Sequence, residues 1–546
     1  MKRTLLRGEI SYSSAKDKEV NILHRLEYPE KQNQFITDLV NREQWIKEVV
    51  AHHLNITSSK CHVADPHGWL WGSFNLCIPV TIHNWIREQP GNRVLLRLPL
   101  PYKVGESFRP GNMDEKIRCE ASTYAWLEEN HPHIPIPRLY GFSLSSGESF
   151  TTRKNLPFFS RYYQYVRRQL YLWASKFIGS ISIIPSAYIR HQPPAISPSS
   201  DLAYLLIEYI EPKQGTMLSN TWQTHSNNVA LRTTLFRSLA HILLSFARVP
   251  LPCIGSFTID NNGFISLSNR PLTLEIQELE NERIPIDIPR DYTYQTSDSY
   301  ITDIVSLHDN RLLYQPNAIN NGSDYIQQIA TLSGIRISIP FFFSRELRRG
   351  PFIFSLTDLH QSNIFVDQQW NITSLVDLEW GCSLPVEMIH PPYWLTSEFA
   401  DAIDEDEYKK MWTEFVRILA QEEESAMKQQ HNYSMENTRL STIMTKTWEM
   451  GTLWYSLALR SPAAIFRLFL DRIQTKLGKD NYSNEEYGLV MAFQWRSGIG
   501  NILAQKIKDK EAYDVDLRRA FFPSETSDES LPTLRVEGIL DGYSIV

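Results

Sequence analysis

"SLTDLHQSNIFVDQQWNITSLVDLEW" (residues 355–380) places Asp358, Asn363 and Asp377 around two short apolar runs, 364–366 and 372–376. The linking "DQQWN" is turn chemistry, and β-prone residues on either side of a turn predict an antiparallel hairpin. Antiparallel pairing brings the outer ends of the two runs together. Asn363 stands just before the first strand and Asp377 just after the second, so the two are expected to meet at the open end.

An amide oxygen and a carboxylate converging there are hard ligands, and few. Such a set suits Mg²⁺, which keeps several waters and takes further ligands from phosphates. Asp358, in the loop leading into the first strand, can face the same point as a general base or orient an attacking hydroxyl. Positioning and charge neutralisation are what phosphoryl transfer asks of a protein. Alone, Asp358 or Asn363 reads as an ordinary turn residue. Their joint spacing with Asp377 is what points to a nucleotide–metal site.

Upstream, "GWLWGSFNLCIPVTI" (68–82) reads as strand–turn–strand and "NRVLLRLPLP" (92–101) as a strand with Arg97 at its middle. In "DEKIRCEASTYAWLEENHP" (114–132), Ile117, Ala121, Tyr124 and Ala125 recur at helical spacing, with Asp114 able to cap and Pro132 closing. "IPIPRLYGFSL" and "LAYLLIEYIE" read as two more strands, completing a small α+β lobe. Beyond 210 the pattern is mostly helical. "CIGSFTIDNNGFISLSN" predicts a hairpin turning at Asn262-Gly263. Tyr408, Met411, Trp412, Phe415 and Leu419 form one helical stripe.

The chain has 546 residues, 42% apolar and 21% charged, with a net charge of -7. That length exceeds one ordinary core. The expected division is a helical lead-in at 1–60, a β-rich lobe at 61–210 with an insertion at 149–200, a helical lobe at 211–520, and an acidic flexible tail at 521–546. Nearly matched charges argue against nucleic acid, whose binding needs phosphate neutralisation. The five cysteines form no C-x-x-C pair and suggest a reducing compartment. With no secretory leader pattern and no long uninterrupted apolar run, the expectation is a soluble, cytoplasmic protein. His52, His53 and His62 lack a metal-binding spacing, and the acids of "DAIDEDE" (401–407) suit a helix start.

From Ser149 to Ser200 there is no Asp or Glu but seven Lys or Arg, with aromatics interleaved in "FFSRYYQYVRRQLYLWASKF" and a Pro/Ser-rich exit. Such a stretch can lie on an anionic membrane surface or dock an acidic partner. A packed helix followed by a loop is the plainer expectation.

Asp358-Leu359-His360-x-x-Asn363 followed by Asp377 resembles the catalytic and metal motifs of the aminoglycoside phosphotransferase family, a branch of the protein-kinase-like fold. "NIFVDQQWNITSLVDLEW", "DEKIRCEASTYAWLEENHPHIPIPRLYGF" and "GSFTIDNNGFISLSNRPL" are similar to its fungal members, over roughly 60–400 with gaps. The resemblance implies a two-lobed fold with a small β-rich N-lobe and a larger helical C-lobe, binding ATP and Mg²⁺. It implies Asp358 as catalytic base, His360 as a brace of its loop, and Asn363 and Asp377 as metal ligands. Gly72, Ser73, Phe74 and Asn75 would form the turn over the phosphates. Glu120 would pair with the basic strand residue, and Glu208 to Ile210 would be the hinge meeting adenine. Arg97 stands where lysine is usual, and arginine is bulkier and forked. Leu356-Thr357 stands where His-Gly is usual. The implied activity is a small-molecule kinase acting on a hydroxyl; the alternative is a pseudokinase scaffold.

Overall fold

The computed structural model of the chain describes residues 1–85, 91–178, 183–192, 202–396, 399–429, 439–462, 464–477 and 484–523. The Pro/Ser-rich exit of the insertion and the tail from 524 lie outside the described residues. The architecture is α+β, built on antiparallel sheets.

The main sheet has eight strands: β1 (Cys61–Val63), β2 (Leu70–Trp71), β3 (Asn75–Ile82), β4 (Arg93–Pro99), β5 (Leu139–Ser143), β6 (Ser149–Thr152), β7 (Tyr188–Arg190) and β8 (Tyr204–Glu208). Their order is β7-β6-β5-β8-β4-β3-β1, and β2 also pairs with β3. Successive side chains on a strand point to opposite faces, and here both faces are covered. Along β8, Tyr204 and Leu206 enter one core, while Leu205 and Ile207 enter another.

Helices α1 (Tyr28–Val40) and α2 (Glu43–Leu54) fill the first core through Leu39, Ile46, Val49, Val50 and Leu54. Val94, Leu96 and Leu98 of β4 point into it too. Arg97 therefore falls on the opposite face, toward helix α3 (Asn112–Asn130).

Helix α3 lies between the sheet and the rest of the molecule, and residues from Met113 to Leu127 are almost all buried. Trp126 contacts the rings of Phe257 (5.0 Å) and Phe354 (4.6 Å). The helix starts after Gly111, whose φ of 91° is the left-handed conformation that glycine tolerates. Asp114 does not cap it, contrary to the sequence expectation. The Glu106 carboxylate accepts from the N–H groups of Gly111 and Met113 (2.7 Å each), and Asp114 accepts from Ser145 N (2.7 Å). The first turn is thus served by a side chain from the preceding loop, and Asp114 instead ties the helix to the β5–β6 turn.

The other principal helices are α4 (Phe158–Ile178), α5 (Val229–Ala247), α6 (Ser297–Tyr314), α7 (Gly322–Phe342), α8 (Glu405–Gln429), α9 (Leu440–Met450) and α10 (Ile499–Phe521). By length and composition α5 could cross a membrane, and 44% of its apolar window is buried in the protein. Leu235, Phe236, Leu239 and Phe246 are buried, and Arg232 donates to Glu414 of α8 at 2.9 Å. Tyr408, Trp412, Phe415 and Leu419 of the α8 stripe are buried as their spacing predicts.

The first 60 residues divide between two places. Ile10, Ala15 and Ile22 pack on Tyr513, Leu517 and Phe521 of α10, where Ile22 N donates to the Tyr513 hydroxyl (2.9 Å). The remainder, through α1 and α2, belongs to the main sheet.

Small strand sets complete the fold: β9 (Thr216–Met217), β10 (Ser256–Ile259), β11 (Phe264–Asn269), β12 (Phe352–Leu356), β13 (Ile364–Val366), β14 (Ile372–Leu375) and β15 (Gly381–Pro385). β10 pairs with β11 around Gly263, whose φ is 81°. β9 pairs with β13 and β13 with β14, while β12 pairs with β15.

Candidate active site

Two strand pairs bring the opening motif together. β12 and β15 are antiparallel, with Leu356 opposite Gly381. Thr357 extends the pairing, giving Trp380 O both its N–H (3.1 Å) and its hydroxyl (2.8 Å). The loop holding Asp358 and the turn holding Asp377 therefore leave from one end. The β13–β14 hairpin has Ile364 opposite Leu375, and Val376 N donates to Asn363 O at 2.9 Å. Asn363 and Asp377 accordingly lie one residue apart in register. The hairpin turn is closed by Asp367, which accepts from the N–H groups of Gln369 and Asn371 (2.9 Å each).

The loop between β12 and β13 is pinned through three consecutive carbonyls. Arg460 donates to Thr357 O (2.5 Å), Asn363 Nδ2 to Asp358 O (2.8 Å) and Trp394 Nε1 to Leu359 O (2.7 Å). His360 Nδ1 lies 3.4 Å from Ser362 N and 3.2 Å from its hydroxyl, inside the loop. The Asp358 carboxyl is pushed up to about 8, by burial first and then by the charges of Asp377 and Glu379.

Asp377 adopts the left-handed conformation, with φ 63° and ψ 59°. For a residue with a Cβ this costs of order 1 kcal/mol and persists only where surroundings impose it. It turns the chain so that Asp377 and Glu379, two residues apart, both reach Arg97. Arg97 Nη2 pairs with Asp377 Oδ1 and lies 2.7 Å from Glu379 Oε2. The same Glu379 oxygen accepts from Lys116 Nζ and from Asn75 Nδ2 (2.8 Å), and Lys116 also donates to Asn75 Oδ1 (2.8 Å). Burial alone would raise Glu379, but Lys116 and Arg97 outweigh it and hold the carboxyl at about 2.

Glu120 lies behind this group with Arg97 Nε at 3.6 Å, a separation beyond hydrogen bonding. Both Glu120 oxygens, Arg97 Nε and the Tyr124 hydroxyl are buried without a hydrogen-bond partner. Burial raises the Glu120 carboxyl to about 7, against the pull of Arg97 and Lys116. The Arg97–Glu120 pairing expected from the sequence is thus a charge contact, while the guanidinium's short bonds go to Asp377 and Glu379.

The remaining residues of interest divide. Gly72 N closes on Asn75 O (2.9 Å), making a tight turn between β2 and β3 with Gly72 and Ser73 exposed. Phe74 sets its ring edge-on to Trp380 at 5.5 Å, and Asn75 points inward to Lys116 and Glu379. Glu208 ends β8, where its N–H goes to Arg138 O (2.8 Å) and its carboxylate accepts from Arg138 N (3.2 Å). Ile210 is half-buried just beyond. Glu208 and Ile210 make no bond to the Asp358–Asp377 group.

Lys116 and Glu379 were not singled out from the sequence. Lys116 precedes Glu120 by one helical turn, and Glu379 follows Asp377 by two residues, so the spacing was visible. Nothing in "DEKIRCE" marks a lysine as fully buried. Among the described residues there is no group of three or more His, Cys, Asp or Glu able to hold a metal unaided. A cavity of about 980 Å³ lies elsewhere, between the C-terminal end of α3, residues 131–140, residues 152–155 and the middle of α4.

No protein-family model matches the chain, and no curated protein sequence matches it.

Proposed function

We propose that the chain is a two-lobed, protein-kinase-like phosphotransferase that moves the γ-phosphoryl group of ATP to a hydroxyl of a small molecule, with Mg²⁺. The observation that carries this reading is the convergence of Asp358, Asn363 and Asp377 at one end of two strand pairs, with Arg97 and Glu120 behind them. The sheet would be the N-lobe, α3 its regulatory helix, and the helices beyond 210 the C-lobe.

The donor set fits a magnesium ion. Asn363 spends Nδ2 on the loop, so Oδ1 is the atom a cation would meet, and Arg97 engages only Oδ1 of Asp377. Three acids (Glu120, Asp377, Glu379) surround two cations (Arg97, Lys116), and burial with the charges of Asp377 and Glu379 holds the Asp358 carboxyl near 8. When bound, a divalent ion would supply charge neutralisation at the phosphates.

The chain's own residues do the rest. Asp358, on a loop pinned at three carbonyls, would orient the acceptor hydroxyl and take its proton at the carboxylate. Lys116 and Asn75 would fix Glu379, and Glu379 would fix the Arg97 fork. Arg97 could then present a guanidinium nitrogen to phosphate.

A second reading has one observation in its favour: the Arg97–Asp377 ion pair occupies the acid that would hold the metal. A pseudokinase scaffold would keep that pair closed. Thermal shift with MgATP separates the two. A ligand at 100 times its Kd stabilises by about 2.7 kcal/mol. The expected result is a clear rise in Tm with MgATP that Asp377→Asn removes. Asp358→Asn should keep the rise but lose slow ATP turnover. No rise would leave the scaffold standing. ATP-dependent mass gain in a metabolite extract would then identify the acceptor.

A further inference from the structure

The insertion forms α4 (Phe158–Ile178), a 21-residue helix. At 1.5 Å per residue it is about 30 Å long. Phe158, Phe159, Tyr162, Tyr163, Val166 and Leu170 are exposed, five of them by 61–86%. At about 100° per residue these six fall within an arc of about 140°. A helix packed into a protein would turn that arc inward. This one does the reverse.

The opposite side fixes the orientation. Arg168 donates to Glu129 at the end of α3 (2.6 Å), and Arg167 lies over the Phe264 ring at 5.8 Å. On the flank of the arc, Arg153, just ahead of the helix, sits over the exposed Tyr165 at 5.7 Å. These contacts hold α4 on the body of the protein by its polar side and leave the apolar arc facing out. The expectation of a packed helix is corrected in this respect: the helix forms, and its apolar face is the outer one.

Charge selects among possible occupants. Residues 149–200 hold seven Lys or Arg and no acid, in a chain whose net charge is -7. Arg161 lies beyond one edge of the arc, where it would meet phosphate while the rings enter the layer beneath. Tyrosine has the amphipathic shape that prefers the headgroup level. The arc is also the convex surface of a single helix, whereas a protein partner for a helix needs a groove to receive it.

We propose that α4 is an interfacial anchor, which lays its aromatic arc into an anionic phospholipid surface with Arg161 at headgroup level. This holds whatever the chemistry of the Asp358 site, and would place that chemistry at a bilayer.

The test is co-sedimentation of the full chain with vesicles of phosphatidylcholine alone or with about a third phosphatidylserine. Binding is expected with phosphatidylserine, weakened at least about tenfold in its absence or in 0.5 M NaCl. The double variant Phe159→Glu, Leu170→Glu should lose binding at least as strongly while melting like the wild type, since both positions are exposed. A second variant, Arg161→Gln, should weaken binding only to the anionic vesicles. The proposal is overturned if the wild type ignores phosphatidylserine vesicles. It is equally overturned if binding survives Phe159→Glu, Leu170→Glu, or if polyglutamate displaces the protein without dependence on those two residues. The last result would assign the surface to an acidic protein.

Discussion

Helix α3 carries two buried charge clusters, one at Glu115 and one at Glu120, little more than a turn apart, and they are built on opposite principles. At the first, Arg270 forks onto Glu115 (2.8 Å twice) and onto Glu280 (2.9 and 3.0 Å). Arg290 and Asn269 also donate to Glu115 (2.9 Å each), and Asn112 to Glu280 (2.8 Å). None of the carboxylate oxygens there lacks a partner. At the second, Glu120 has both oxygens unpartnered and Arg97 an idle Nε, although all are buried. A satisfied buried network fixes structure, whereas an unsatisfied one is retained at a cost that only a ligand or a change of state can offset. The comparison therefore separates a structural clamp from a candidate working site on one helix.

The largest effect should come from breaking the clamp. Arg270→Met would remove the guanidinium that two buried acids share, leaving Glu280 to Asn112 and Arg109, and such losses cost about 3–5 kcal/mol. Denaturant unfolding should show it directly. A loss under 1 kcal/mol would mean that the clamp is no more structural than its neighbour.

A paired neutralisation sharpens the contrast. Glu115→Gln removes a carboxylate bound by two guanidinium groups and should cost about 1.5–3 kcal/mol. Glu120→Gln removes an acid with no hydrogen bond and should change stability by less than about 0.5 kcal/mol. It should, however, weaken MgATP binding if Arg97 needs Glu120 once a nucleotide draws it from Asp377. Equal destabilisation by the two variants would erase the distinction.

How far each cluster was legible follows from the kind of signal it leaves. The hairpin around Asn363 and Asp377 was readable because alternation, turn chemistry and polar flanks all act within 25 residues. Arg97 was legible as a mid-strand residue, while its approach to Glu120 of α3 was implied only by the resemblance. Lys116 and Glu379 escaped because burying a charge is a tertiary decision: partners come from β3, β4 and the turn after β14, far apart in the chain. Asn75 begins β3 as the turn at Gly72 closes, and its inward aim depends on where Glu379 arrives. The insertion misled for a different reason. An amphipathic period identifies a helix and its apolar face, yet does not say which way that face will look.

pH gives the next effect. The Asp358 carboxyl titrates near 8 in the folded chain, whereas its ordinary value is 3.8, and Glu120 near 7 against 4.5. Between the ordinary and the folded values the unfolded chain binds fewer protons, so stability from these groups is full at low pH and is lost as pH rises through 7 and 8. Glu379, held at about 2, acts with the opposite sign and loses its contribution only as pH falls below its ordinary range. The stability gained by Asp358→Asn over the wild type should therefore grow from pH 5 to pH 9. Saturating MgATP should shrink that difference, because a nearby cation lowers the Asp358 carboxyl. A gain independent of pH would sink the assignment of Asp358 as a strained acid.

The smallest effect tests whether the working site is organised in separable parts. Trp394 Nε1 supports the Asp358 loop at Leu359 O, and its ring contacts Trp222 edge-on at 5.3 Å. Trp394→Phe keeps most of the packing and deletes one hydrogen bond, a loss of about 1 kcal/mol. The hairpin carrying Asn363 and Asp377 meets that loop through Asn363 Nδ2 and Asp358 O, but has its own support in Val376 N to Asn363 O and the pairing of β13 with β14. Loosening the loop at Leu359 should therefore lower kcat while leaving the MgATP thermal shift intact. Should both fall together, the loop and the hairpin move as one body, and Asp358 could not be separated from Asn363 and Asp377 by any substitution in its support.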